Sequence, residues 1–339
     1  LGPAEKSLYL DGLQAIGVTP GDYSSKLQLA LEPAMTAAEA SRLIHLTLLD
    51  TLSRNETGAA GNIDPEFLHD FRVAGRRIRS ALAQLDKGVL PPAVIARAKT
   101  DFRWICQQTN HMRDLDVYLI DFPDLQDPLP DSYRPHLKPF HEFLSAQSRK
   151  EARRVAAMLR GRRYRKICDD WRTYLTVGFG KDRKAEFTDT PVRNLADARI
   201  WRAFRRALKE GATIGVEAPA EALHALRISC KKLRYLLEFF QSLYPPDEIG
   251  VLIRSLKKLQ DVLGEFQDSE IQSLAIVNFG REMAAANRAP VETQMAMGMV
   301  AESILRRQGA ARSAFHGRFE AFSGEEIVAA AKELFRDRE

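Results

Sequence analysis

The chain has 339 residues, 45% of them hydrophobic and 28% charged, enough apolar material for two domains of ordinary size and too much for a disordered chain. Its formal net charge is only +5, so an oppositely charged partner has to be read from where the charges sit. There is no run of about 20 uninterrupted apolar residues, which excludes a membrane-spanning helix. No basic start followed by an apolar run opens the sequence, and a soluble, cytoplasmic protein is expected.

Leu1 to Pro33 is punctuated by Gly17, Pro20, Gly21 and Pro33, which predicts an irregular or short β-like stretch over 1–34, a linker or the tail of an upstream domain. From Met35 onward the apolar period becomes 3.6. Thr36 to Arg54, Asp64 to Asp86, Pro91 to Leu119 and Asp131 to Leu175 read as helices or helix groups, with breaks at Gly58 to Gly61, Gly88 to Pro92 and Asp121 to Pro130. They make a first bundle over 35–177. A polar linker over 178–191 follows, and a second bundle over 192–339 has helices at Val192 to Glu210, Ala218 to Leu243, Asp247 to Val262, Glu265 to Ala286, Val291 to Ala321 and Gly324 to Arg336. No strand pattern of comparable strength appears, so the fold class is all-α. Cys106, Cys168 and Cys230 are an odd number without metal-ligand spacing; each serves as a small apolar residue of a helix, as a reducing compartment allows.

The chain repeats itself. Glu66-Phe-Leu-His-Asp-Phe-Arg-Val-Ala-Gly-Arg-Arg-Ile-Arg79 aligns with Glu221-Ala-Leu-His-Ala-Leu-Arg-Ile-Ser-Cys-Lys-Lys-Leu-Arg234, 155 residues later. Leu68, His69, Arg72 and Arg79 recur as Leu223, His224, Arg227 and Arg234, while Arg76 and Arg77 become Lys231 and Lys232. At an offset of 154, Asn110-His-Met-Arg-Asp114-Leu-Asp116 aligns with Gly264-Glu-Phe-Gln-Asp268-Ser-Glu270. Two helices per half therefore correspond, and the halves are expected to share one fold related by a pseudo-twofold axis.

At about 100° per residue, Arg72, Arg76 and Arg79 fall within about 80° of His69 on one side of their helix. Leu68, Phe71, Gly75, Ile78, Leu82 and Leu85 fill the adjoining arc that packs in a bundle. His224, Arg227, Lys231 and Arg234 lie in the same way beside Leu223, Leu226, Cys230 and Leu233. A single such stripe is commonly a row of snorkelling stems with wet heads. Two copies, each with like charges one turn apart and repelling by a few tenths of a kcal/mol per pair, point instead to a bound anion. Arg103 and its counterpart Lys257 extend each surface. Arg77 and Lys232 lie about 80° off the stripe and are expected to face solvent. His69 and His224, with an unperturbed pKa of about 6.5, should stay neutral beside these cations and gain charge when an anion arrives.

The doubled pattern Leu-His-x-x-Arg-Val/Ile-x-x-Arg/Lys-Arg/Lys-Ile/Leu-Arg, with Arg113-Asp-Leu-Asp-Val117 and Leu256-Lys-Lys-Leu-Gln-Asp-Val-Leu-Gly264, resembles the CHAD family of histidine-containing α-helical domains from about Met35 to the C-terminus. The resemblance implies two four-helix bundles around a central basic channel that binds inorganic polyphosphate, often at polyphosphate granules; on the residues themselves, neither catalysis nor a cofactor is expected. The resemblance also implies that His69, Arg72, Arg76, Arg79, Arg103, His224, Arg227, Lys231, Arg234 and Lys257 line that channel. Such domains often follow a CYTH-type triphosphate tunnel domain, and Leu8 to Pro33 looks like the end of one, although no Glu-x-Glu-x-Lys motif is present. The repeat departs from symmetry where Asn110 stands opposite Gly264 and Asp70 opposite Ala225.

Other functions are readable in the same residues. His69-Asp70 could be the metal dyad of a phosphohydrolase, but neighbours on a helix point about 100° apart and the second copy lacks the Asp. Asp114 and Asp116 could bind Mg²⁺; a hydrogen-bonding role at a helix end, or a pairing with Arg across the bundle, fits Asp114 and Asp268 better. No phosphate loop, nucleophile elbow or zinc cluster is visible. Nine basic residues between Arg149 and Lys166, with Tyr164 among them, would be the footprint of a nucleic-acid binder, yet the repeated stripes lack interleaved aromatic residues apart from Tyr235. A protein-binding helical scaffold would instead turn the stripes to separate solvent surfaces.

Overall fold

Thr36 and Asp64 show how closely the chain's local chemistry sets its helices. Thr36 Oγ1 accepts from the Glu39 backbone N–H at 3.2 Å while Glu39 Oε2 accepts from the Thr36 N–H at 2.8 Å, a reciprocal cap that starts α1, Ala37–Gly61. Asp64 accepts from the Glu66 N–H at 2.8 Å, and Pro65, which has no N–H to satisfy, opens α2, Pro65–Gln84. The computed structural model describes residues 27–180 and 185–336. Leu1 to Lys26, most of the expected linker or upstream tail, lies outside the described residues, as does part of the expected 178–191 linker.

The remaining helices are α3 (Pro92–Gln108), α4 (Asn110–Ile120), α5 (Phe122–Gln126), α6 (Lys138–Leu159), α7 (Arg162–Thr173), α8 (Val192–Ala212), α9 (Ala220–Phe240), α10 (Pro246–Ala285), α11 (Val291–Ser323) and α12 (Glu325–Phe335). Short 3-10 turns occur at Arg134–Leu137 and Gln241–Leu243, and a π turn at Tyr174–Gly178. The fold is all-α; among the described residues two isolated bridges are the extent of β pairing.

Several boundaries depart from the sequence expectation. The predicted break at Gly58 to Gly61 is helical, because Gly58 leaves room for the Phe67 ring, which would come within 2.2 Å of a Cβ there. The helix stops only at Asn62, which adopts φ +48°. Pro91 to Leu119, expected as a helix or helix group, is two helices joined at Thr109. Asp247 to Val262 and Glu265 to Ala286 fuse into the 40-residue α10, whose tertiary packing overrides the helix-weakening Gly264.

Two apolar cores hold these elements, and each draws on both halves of the sequence. The larger includes Leu48, Phe71, Phe102 and Tyr164 with Phe204, Leu233, Phe239 and Phe315. The smaller packs Leu115, Phe122, Phe140 and Leu144 against Ile276, Met283, Met297 and Ile304, where α10 and α11 extend past the larger core. At roughly 1.5–3 kcal/mol per buried large side chain, both clusters weld the halves together. Leu27, Leu29 and Leu31 also enter the larger core while Gln28, Ala30 and Glu32 stay exposed, an alternation of period two. Gln241 Nε2 donates to Leu27 O at 3.2 Å, and the Leu31 N–H donates to Ser242 Oγ at 3.1 Å, so this segment is tied to the end of α9. Deep under α1, Asp86 accepts from Ser41 Oγ and pairs with His45 Nε2, both at 2.7 Å, with all three residues 0% exposed.

Candidate functional site

Phe71, Ala74 and Ile78 on α2 and Leu226, Leu233 and Leu237 on α9 are buried in the same core, which turns the flanks of both helices toward each other. Between those flanks and α10 lies a cleft of about 730 Å³. His69, Arg76 and Arg77 line it from α2; Arg227, Lys231, Arg234, Tyr235 and Glu238 from α9; Gln260, Asp261, Gly264, Glu265 and Asp268 from α10. The two repeated segments thus meet in one site.

Its charges are mixed. Glu238 joins the repeats, accepting from Arg77 Nη2 at 2.9 Å and from Arg234 Nε at 2.7 Å. Arg234 Nη1 also donates to Gln260 Oε1 at 3.4 Å. Arg227 Nη2 reaches both oxygens of Asp268, at 2.9 and 3.1 Å. Arg76 and Lys231 have no carboxylate within ion-pair distance among the described residues. Burial lowers the Lys231 pKa from its ordinary value, and the Arg227 and Arg76 charges lower it further against the pull of Asp268. Two cations from different repeats therefore repel across the cleft with no carboxylate at ion-pair distance from either among the described residues, and an anion placed between them relieves that repulsion.

His69 is also pushed below its ordinary pKa, first by burial, then by Arg113, and also by Arg76. Arg113 sits where the second copy has Gln267, and there Gln267 Oε1 accepts a 2.6 Å hydrogen bond from His224 Nδ1. One histidine faces a cation and the other a neutral amide.

The structure separates the expected lining residues. His69, Arg76, Arg227, Lys231 and Arg234 come together in the cleft. Arg72 does not line it: its Nη1 donates to Cys106 O at 3.0 Å, Thr109 Oγ1 at 2.8 Å and Asn110 Oδ1 at 2.9 Å, closing the end of α3. Asn110, where the second copy has Gly264, supplies one of those acceptors, whereas Gly264 offers no side chain and Arg227 turns to Asp268. His224 is held outside the lining by Gln267. Arg79, Arg103 and Lys257 also lie outside the lining. Arg77 was expected to face solvent and instead lines the cleft with its side chain 11% exposed, because Glu238 on the facing helix draws it in. An acid on the partner helix decides that orientation, and a single helical wheel does not contain it. Arg113 acts on the cleft through its charge beside His69, and its place in the second repeated element was a usable signal.

Asp114, Asp121, Glu265 and Asp268 contribute to an adjoining pocket of about 410 Å³ that Arg307 also lines. Burial raises the Asp114 and Asp121 pKa values. Asp116 is buried instead, and burial pushes its carboxyl up to about 6. Among the described residues, Glu66, His69 and Asp70 are the group that brings three potential metal donors within 4.8 Å of one another. All three sit on one turn of α2, and the second repeat lacks the Asp. Cys106 and Cys230 are buried and free, and burial pushes the Cys230 thiol up to about 12. Among the described residues, no helix is long and apolar enough to cross a membrane.

The family profile of the CHAD domain matches residues 44–276. The chain belongs to the CHAD domain family. The crystal structure of the CHAD domain from the plant Ricinus communis has the same fold, with 22% identity over 92% of this chain and 96% of that one and a TM-score of 0.65. PptA from Streptomyces chartreusis is similar as well, at 14% identity over 84% of this chain and 100% of that one, with a TM-score of 0.61. No curated protein matches the chain.

Proposed function

We propose that this CHAD domain chain is a non-enzymatic receptor for inorganic polyphosphate, which it holds in the cleft between α2, α9 and α10 and follows to polyphosphate granules. The observation that carries the reading is the pair Arg76 and Lys231, one from each repeat, sharing a cleft without a carboxylate partner among the described residues. The Arg76 fork and the Lys231 ammonium take successive phosphates through charge-assisted hydrogen bonds, with His69 donating a further one. Arg77 and Arg234, clamped on Glu238, form a fixed wall. Arg227 is exchangeable, because a phosphate oxygen can replace Asp268 as its acceptor.

The cleft favours a linear phosphate polymer over nucleic acid, since Tyr235 is the one aromatic lining residue and single-strand binders use stacking platforms. A binding role is favoured over hydrolysis because the hydroxyl, carboxylate and imidazole of Ser41, Asp86 and His45 are fully buried, where no substrate reaches them. Titration with polyphosphates of increasing length, with single-stranded DNA and ATP as competitors at physiological salt, tests the reading. Affinity should climb with length, and neither competitor should displace a long chain at equal phosphate concentration. Equal displacement by DNA would refute it.

A further inference from the structure

A second concentration of positive charge lies outside the cleft. Arg149, Lys150, Arg153, Arg154, Arg160, Arg162, Arg163, Arg165 and Lys166, on and between α6 and α7, are all exposed. Four are engaged locally. Arg154 pairs with Glu151, the Arg163 guanidinium lies 4.1 Å over the Trp104 ring, Arg165 donates to Arg160 O, and Lys166 pairs with Asp170. The other five, Arg149, Lys150, Arg153, Arg160 and Arg162, donate no side-chain hydrogen bond and form no ion pair among the described residues. Arg149, Arg153 and Arg160 fall within about 40° of one another around α6, a row of like charges that repel along the helix. Glu151 is the one acid in the stretch, and Arg154 occupies it.

Arg154 from this face and Arg72, which follows the cleft residue His69 on α2, reach the same helix end. Arg154 reaches the last turn of α3 from α6, its Nη2 donating to Gln108 O at 2.7 Å and its Nη1 to Gln108 Oε1 at 3.0 Å. Arg72 reaches the same turn from α2, donating to Cys106 O and to Asn110 Oδ1. Two guanidinium groups from different surfaces therefore converge within a few residues of chain. Arg72 in turn feels the charge of Arg76, which lowers its pKa after burial has done so. Arg76, Arg72 and Arg154 thus follow one another from the cleft, past the end of α3, to α6.

We propose that the exposed α6–α7 face is a second polyphosphate-binding surface, continuous with the cleft at the end of α3, so that one long chain occupies both. The proposal rests on the cleft reading above. A linear phosphate polymer fits the face because it needs cations and no stacking platform. The aromatic residues there are unavailable to bases, Tyr164 being buried and Trp104 lying under Arg163. The face should therefore act on long chains alone.

The test uses the full chain with two polyphosphate lengths, one short enough to fill only the cleft and one several-fold longer, and the variant Arg149→Glu, Arg153→Glu, Arg162→Glu checked for helicity by circular dichroism. The expected result is short-chain affinity within two-fold of wild type, long-chain affinity down at least ten-fold, and a shallower salt dependence for the long chain, by about 0.7–0.9 in log–log slope per lost phosphate contact. Long chains should also change the fluorescence of Trp104, short chains should not, and Trp104→Phe should remove that signal. Unchanged long-chain affinity in the triple variant overturns the proposal and leaves the cleft reading intact, as does an equal loss for both lengths. If the variant loses single-stranded DNA while keeping long polyphosphate, the face belongs to nucleic acid and the proposal falls. If the wild type binds neither length, the cleft reading itself has failed.

Discussion

Asp268 holds Arg227 through both of its carboxylate oxygens, at 2.9 and 3.1 Å, and in doing so draws a repeated cleft cation away from any incoming anion. Its counterpart in the first repeat, Arg72, is committed to the end of α3. Neither position is a free cation, though each lies in a basic stripe, and the cleft's open charge falls to Arg76 and Lys231.

Removing the competing carboxylate should strengthen binding. Asp268→Asn leaves a hydrogen-bond acceptor beside Arg227 but deletes a negative charge, and a half-exposed charge of this kind is worth about 0.2–1 kcal/mol. Polyphosphate affinity should rise up to about five-fold in isothermal titration. A fall would mean that Asp268 orients Arg227 for the ligand.

Binding should depend on pH through His69. Its pKa in the free protein is held below the ordinary 6.5 by burial and by Arg113, and a bound polyanion raises it again, so binding takes up a proton. Affinity should then increase as pH falls through the range below about 6.5, and His69→Gln should flatten that part of the profile. An unchanged profile in the variant would assign the effect elsewhere.

Asp116 gives a stability test with no ligand. Burial holds its folded-state pKa at about 6, above the ordinary carboxylate value of 3.8, so the folded chain binds this proton more tightly, and stability falls as pH rises from about 4 to about 6. Asp116→Asn mimics the protonated form. It should stabilise the protein by roughly 1–3 kcal/mol at pH 8 and by almost nothing below pH 4, read as the difference in thermal midpoint between variant and wild type.

Opposite logic applies to Asp86. Ser41 and His45 are both fully buried against it, so Asp86→Ala strands two polar groups and should cost about 3–5 kcal/mol. A loss under 1 kcal/mol in urea unfolding would show that the two groups find new partners.

Much of this was legible in the sequence because a repeat carries its own control. The Leu-His-x-x-Arg spacing at His69 and again at His224 located both cleft helices, and the 154-residue offset located the acidic middle of α10 through Asp268. The orientations of individual cations were not legible. Arg77 turns inward because Glu238 stands on the facing helix, Arg72 turns aside because Thr109 and Asn110 end a helix beside it, and neither relation is local in sequence. The fusion of Asp247 to Ala286 into one helix was hidden by Gly264, whose low helix propensity is outweighed by packing on both sides.

A polyphosphate chain held between cations of both repeats needs both of them, so its affinity for wild type, Arg76→Glu and Lys231→Glu is the decisive comparison. Each charge-assisted contact is worth about 1.5–3 kcal/mol, so each substitution should weaken binding at least ten-fold while the helical circular dichroism is unchanged. Wild-type affinity in either folded variant would contradict a shared cleft.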